Sequence, residues 1–151
     1  MKYFIIALVL SMSFISCEDV ESHDFVMQAK IGEKFYTSTD ANATIAENGN
    51  VIIEGSTWDE KLILRVDKLK KGDFNLGAGV RNSAKFESVN GNVYTTNSNA
   101  TGVVTISEVN ELHQTFSGTF HFSAVVPELD TIYVSKGFLF NIPYNSGIEY
   151  P

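Results

Sequence analysis

The chain has 151 residues, one cysteine and a formal net charge of −7, with 44% of its residues hydrophobic. A single Cys excludes an intramolecular disulfide, so any folded domain must be held together by its core. The acidic balance excludes nucleic acid, whose phosphates are bound by clustered Lys and Arg, and argues against adsorption to anionic lipid head groups. The one basic cluster, Lys68-Leu69-Lys70-Lys71, stands between Asp67 and Asp73 in a predicted turn.

The first element is a leader. Lys2 supplies a positive start, Phe4 to Leu10 an almost wholly apolar run, and Ser16 the small residue a signal peptidase needs before its cut. A cut before the lone Cys17 resembles the lipobox of bacterial lipoproteins, with Ser16 and Ile15 fitting and Phe14 in place of the usual Leu. The resemblance implies a diacylglycerol on the Cys17 thiol, which becomes the new N-terminus, and an outer-membrane address. The alternatives are a plain secretory signal and an uncleaved anchor, the latter disfavoured because a spanning helix needs about 20 apolar residues. Glu18-Asp19-Val20-Glu21-Ser22-His23-Asp24 has four carboxylates and no periodic apolar face, which reads as a solvated tether. Acidic residues directly after the Cys also resemble the surface-export signals of Bacteroidetes lipoproteins. The expected organisation is a signal peptide over residues 1–16, a lipid-bearing Cys and tether over 17–24, and one domain over 25–151. Removing the leader leaves ten basic and eighteen acidic residues, a balance of −8. At about 135 residues such a chain buries roughly two-thirds of its unfolded surface, enough for one core.

From Phe25 onward the signal is period-two alternation between turn clusters, the signature of strands. Phe25, Met27, Ala29 and Ile31 share one face, and Gly32-Glu33-Lys34 turns the chain into Phe35-Tyr36-Thr37. Ser38 to Ala46 is small and polar, with weak helical character at best. Asn48-Gly49 is a hairpin dipeptide leading into Val51 to Glu54. Leu62, Leu64 and Val66 alternate with Lys61, Arg65 and Asp67, with Ile63 the exception. Lys71-Gly72-Asp73 turns into Phe74 and Leu76. Ala84 to Ser88 reads as an edge strand, joined by Asn90-Gly91-Asn92 to Val93 to Thr96, and Asn97 to Gly102 reads as loop. Val104 and Ile106 alternate with Thr105 and Ser107.

Phe116, Gly118, Phe120, Phe122 and Ala124 form one face of a long strand, with Thr115, Ser117, Thr119, His121 and Ser123 on the other. In the last strand Ile132, Val134, Phe138, Phe140 and Ile142 are expected on one face. Lys136 falls on that face, and a β-bulge at Lys136-Gly137 is expected to swing it out without disturbing the pattern on either side. The predicted fold is all-β, an antiparallel sandwich or barrel-like meander of about eight to ten strands.

Thr115 to Ala124 together with Val134 to Tyr144 resembles a family of uncharacterised Bacteroidetes lipoproteins, which share an SGTF-F-A strand followed by a G-F--I-Y strand. Ala29 to Phe35 and Lys71 to Leu76 fit the same pattern. The resemblance implies fold class and address and carries no catalytic residue. Asp130-Thr131-Ile132 resembles the Asp-Ser/Thr-aliphatic acceptor of Bacteroidetes O-glycosylation, with an unmodified loop as the alternative at Thr131. In a bacterial chain, the Asn42-Ala43-Thr44 and Asn99-Ala100-Thr101 sequons carry no meaning.

Catalytic chemistry has no signature here. Ser117-Gly118-Thr119 lies mid-strand, not at a strand-to-helix elbow. His113 and His121 form no metal-ligand pattern, and Asp59-Glu60 and Asp67 with Asp73 match no calcium loop. No cofactor motif occurs. The remaining lead is Trp58 beside Asp59 and Glu60: an exposed indole next to carboxylates suits a sugar or a peptide, whereas a core cap is the commoner fate of a lone Trp. The expected role is non-enzymatic binding or structural support in the cell envelope, with a glycan, peptide or envelope protein as partner. A small hydrolase with its site at strand ends, and an inhibitor acting through its loops, stand as alternatives. A dry cavity lined by Phe116, Phe120 and Phe140 would point to a small apolar ligand, and loops, not strand faces, are expected to carry any contact surface.

Overall fold

The structure is a computed structural model that describes residues 26–96, 100–128 and 130–146. The expected leader, the Cys17 expected to carry lipid and the expected acidic tether lie outside the described residues. The described chain is all-β, with eleven strands: β1 (Val26–Ile31), β2 (Lys34–Thr37), β3 (Asp40–Ile45), β4 (Val51–Ser56), β5 (Lys61–Val66), β6 (Gly72–Gly77), β7 (Ser83–Glu87), β8 (Val93–Thr95), β9 (Thr101–Asn110), β10 (Thr115–Val125) and β11 (Thr131–Ser146).

The ladder order is β2-β1-β11-β3-β4-β5-β7-β8-β10-β9-β6, and an additional β10–β11 ladder closes a ring. Two seams of that ring are narrow. A single register pair, Val125 with Thr95, joins β10 to β8, and three pairs join β11 to β3. The result is one eleven-stranded sheet closed on itself through β10 and β11, with β1 and β2 continuing it from β11, and β9 and β6 continuing it from β10. Among the described residues only the β11–β3 ladder is parallel.

One core fills the interior, with Phe116, Phe120, Leu62, Leu64, Ile53 and Met27 among its fully buried side chains. Each such side chain contributes roughly 1.5–3 kcal/mol of burial. The two hairpin dipeptides close alike. Ala46 N–H donates to Asn50 O (2.8 Å) and Gly49 N–H to Ala46 O (2.9 Å); Ser88 N–H donates to Asn92 O (3.0 Å) and Gly91 N–H to Ser88 O (2.8 Å). Gly49 and Gly91 take φ of 84° and 79°, a conformation glycine adopts without steric cost.

Four expectations need correction. Residues 38–46 hold the strand β3, not a weakly helical stretch: Ala41 and Ala43 point inward and are buried, while Asp40 and its alternate neighbours face out. Alanine is too small to announce an apolar face, so the alternation goes unnoticed by size. The segment expected at an edge, β7, is interior, paired to β5 and β8, and the edges are β2 and β6. Of the expected loop over residues 97–102, residues 97–99 lie outside the described residues, and Thr101 and Gly102 belong to β9.

The fourth correction concerns β11. The bulge occurs where expected, with Lys136 at φ 50°, but it reverses the pattern beyond it. Two β11 residues stand against one of β10 between Val134 and Gly137, and again between Leu139 and Ile142, where Asn141 has φ 48°. Each inserted residue shifts the alternation by one. Val134, Gly137, Leu139 and Ile142 therefore face the core, while Phe138 and Phe140 are 45% and 42% exposed. The core cavity suggested for Phe116, Phe120 and Phe140 is accordingly not formed, because Phe140 points outward.

Candidate functional site

Residues Thr57 to Glu60 connect β4 to β5. Thr57 N–H donates to Glu60 O (2.9 Å), and Glu60 N–H donates to the Thr57 hydroxyl (3.0 Å), so the threonine side chain and backbone together close the turn. Trp58 projects from this turn at 100% exposure, which rules out the core cap and leaves the only indole of the chain in water. Asp59 is exposed beside it. Glu60 is drawn inward: its side chain is 9% exposed and takes both hydrogen bonds of the Lys34 ammonium at 3.0 Å. The structure thus brings the three predicted residues into one turn but separates their roles, with Trp58 and Asp59 presented and Glu60 holding the turn to β2.

Beside the turn, the β2–β3 connection is tied to β1 and β4 by backbone bonds. Ser38 N–H donates to Met27 O and Thr39 N–H to Ser56 O. Below it the buried Tyr36 hydroxyl donates to Gly55 O at 2.5 Å. Burial pushes the Tyr36 hydroxyl well above its ordinary range. The antiparallel β5–β7 pairing carries the β7–β8 hairpin to the same end of the sheet, setting Lys61 opposite Glu87. Between the two turns lies a groove of about 380 Å³, lined by Trp58, Asp59, Glu87, Ser88 and Val93 among others. An aromatic face, carboxylates and a hydroxyl around one groove can stack on an apolar ring face and accept from hydroxyl or amide donors.

A second surface escaped the sequence reading. A groove of about 520 Å³ runs over the outer face of β10 and β11, lined by His121, Ser123, Tyr133, Ser135 and Lys136. Tyr133 is 68% exposed there, and the Phe138 and Phe140 rings stack at 6.2 Å further along the same strand. The available signal was the Lys136-Gly137 pair: once a bulge is placed there, counting residues rather than preserving the face turns both phenylalanines outward.

Among the described residues no group of three or more His, Cys, Asp or Glu stands close enough to hold a metal ion. His121 is exposed on the polar face of β10 as its alternation predicts. Thr131, the candidate O-glycosylation residue, is half-buried at the start of β11, and its N–H is held by the Asp130 carboxylate at 2.7 Å.

A family model described as a domain of unknown function, DUF6252, matches residues 23–143. The chain belongs to that family. No curated protein and no solved structure matches it.

Proposed function

We propose that this DUF6252 member is a non-catalytic binding module of a bacterial cell envelope, held at the outer membrane by lipid on Cys17 and engaging a glycan or peptide through the Trp58 turn. The observation that carries the binding assignment is the full exposure of Trp58. Leaving a large apolar ring in water forgoes burial worth roughly 1.5–3 kcal/mol, and it is costly to retain unless the ring has an occupant. Asp59 and the adjoining 380 Å³ groove supply the polar contacts that would orient one.

The anchor is supported by the leader pattern ending at Ser16-Cys17 and by the acidic tether, whose charges keep it solvated. The family match begins at residue 23, next to the expected end of that tether. A lipoprotein N-terminus carries several acyl chains, and more than one chain is needed for stable anchoring. Display on the outer surface and a sugar on Thr131 belong to the same reading.

Two substitutions test the two halves. Cys17→Ser is expected to shift the protein from the membrane to the soluble fraction, or to leave unprocessed precursor. Fatty-acid labelling of the variant as strong as wild type contradicts the anchor. Trp58→Ala is expected to abolish capture on a glycan array or from envelope extract while the melting temperature stays within a few degrees. Retained binding by Trp58→Ala, with loss in Tyr133→Ala, moves the site to the β10–β11 face and contradicts the loop assignment.

A further inference from the structure

The chain has only two arginines, Arg65 and Arg81, and both line a single pocket of about 270 Å³ together with Asn48, Asn50 and Ser83. They arrive there from different elements. Arg65 stands on the outward face of β5, in register with Ile52 of β4 and Ser83 of β7. Arg81 is carried by the connection between β6 and β7. That connection is pinned by its neighbour: the Asn82 side-chain oxygen accepts the Asp67 N–H at 2.8 Å, and its amide donates to Asn75 O at 3.1 Å. These bonds fix the backbone that carries Arg81, while the Arg65 and Arg81 side chains themselves are exposed.

The pocket gathers both guanidinium groups of the chain. Of the described lysines, Lys30, Lys34, Lys61 and Lys85 pair with a carboxylate, while Lys68, Lys70, Lys71 and Lys136 stand unpaired. Arg65 and Arg81 pair with none among the described residues, although acidic side chains outnumber basic ones eighteen to eleven. Guanidinium groups are the best partners a carboxylate has, because their fork matches its two oxygens. Two of them left unpaired in a chain rich in carboxylates are held ready for an outside anion.

The surroundings narrow the anion. Asn48 accepts the Asn50 N–H at 3.0 Å through its side-chain oxygen, which turns its amide N–H groups to other acceptors, and Ser83 adds a hydroxyl. These are neutral groups that exchange hydrogen bonds with hydroxyls. Arg65 also lines an adjoining cleft of about 570 Å³ with Ile63, Val80 and Lys85. Ile63, the apolar exception on the polar face of β5, is 7% exposed there, which gives that cleft an apolar floor. A polyanion meets the repulsion of a chain at net −7, whereas a ligand with one carboxylate per ring meets little. We propose that Arg65 and Arg81 bind the carboxylate of a sugar acid, with Asn48, Asn50 and Ser83 reading its hydroxyls. This site lies outside the groove beside Trp58 and stands independently of it.

The test is calorimetric titration of the full chain with the monosaccharides glucuronate and galacturonate. Wild type is expected to bind, and the uncharged methyl esters to bind at least about tenfold more weakly, the loss of a charge-assisted hydrogen bond. Arg81→Gln, on a connection outside the strands, and Arg65→Lys, which keeps the charge but not the fork, are each expected to weaken binding about tenfold or more. Both should melt like wild type. Unaltered affinity in both arginine variants, or equal affinity for the methyl esters, overturns the proposal. So does displacement of glucuronate by equimolar sulfate, the mark of an unselective anion site, or tighter binding of an acidic tetrapeptide than of either sugar acid.

Discussion

Strands β10 and β11 lie side by side over much of their length, yet they translate sequence into structure differently. In β10 every second residue from Phe116 to Ala124 is buried, and the outward positions carry Thr119 and His121. In β11 an equally apolar run is interrupted twice, at Lys136 and Asn141, and the burial pattern moves by one residue each time. The same residue type, phenylalanine, is core in one strand and surface in the other. Apolar composition decides that a strand forms, and bulges decide which of its side chains the core receives.

The sharpest way to break this comparison is to truncate both kinds of phenylalanine. Phe120→Ala empties a fully buried position and is expected to cost about 3–5 kcal/mol in denaturant melts. Phe138→Ala, on the outer face, is expected to cost under about 1 kcal/mol. Comparable losses would mean that the β11 register is wrong.

Next in size are the positions where backbone, not side chain, sets the fit. A Cβ at Gly118 would collide with the backbone of Thr105 on β9, so Gly118→Ala is expected to lose about 1–3 kcal/mol. At Lys136 the left-handed backbone disfavours a β-branched residue, so Lys136→Val should melt below Lys136→Gly by about 1–2 kcal/mol. A Val variant as stable as the Gly variant would argue against the bulge.

Smaller, and dependent on pH, is Tyr36→Phe. It removes the hydrogen bond to Gly55 O, and about 1 kcal/mol is expected near neutrality. Burial raises the Tyr36 hydroxyl above its ordinary value of 10.0, so above pH 10 the unfolded chain gives up this proton first. The wild type then loses stability with rising pH, and its advantage over Tyr36→Phe narrows. A gap that stays constant in alkaline melts contradicts the burial of this hydroxyl. The smallest effect belongs to His121→Ala, which should stay within about 0.5 kcal/mol of wild type, as for an exposed side chain.

The legible parts of the fold were those where size and alternation coincide. The face of β10, the two Asn-Gly hairpins and the inward Leu62, Leu64 and Val66 follow directly from period-two patterning. β3 was hidden because its inward residues are Ala41 and Ala43, too small to register as a core face. The interior place of β7 was hidden because strand order depends on long-range pairing that no local pattern encodes. Of the surfaces, the Trp58 turn was legible as a lone indole among polar residues. The arginine pocket was not, since residues 65 and 81 meet only after β5 and β7 pair through Arg65 and Ser83. Ile63 was the one visible trace of that region, an apolar residue out of phase.

The central claim is that the Trp58 turn receives a ligand, and the emission of this single tryptophan reports on it directly, since no other indole contributes. Emission spectra are recorded for the free protein and for the protein saturated with a glycan or peptide identified by array or pull-down. The account predicts a fully water-exposed, red-shifted spectrum in the free state and a blue shift or quenching on saturation. A spectrum already blue-shifted in the free protein, or one that does not change when the ligand is bound, contradicts it.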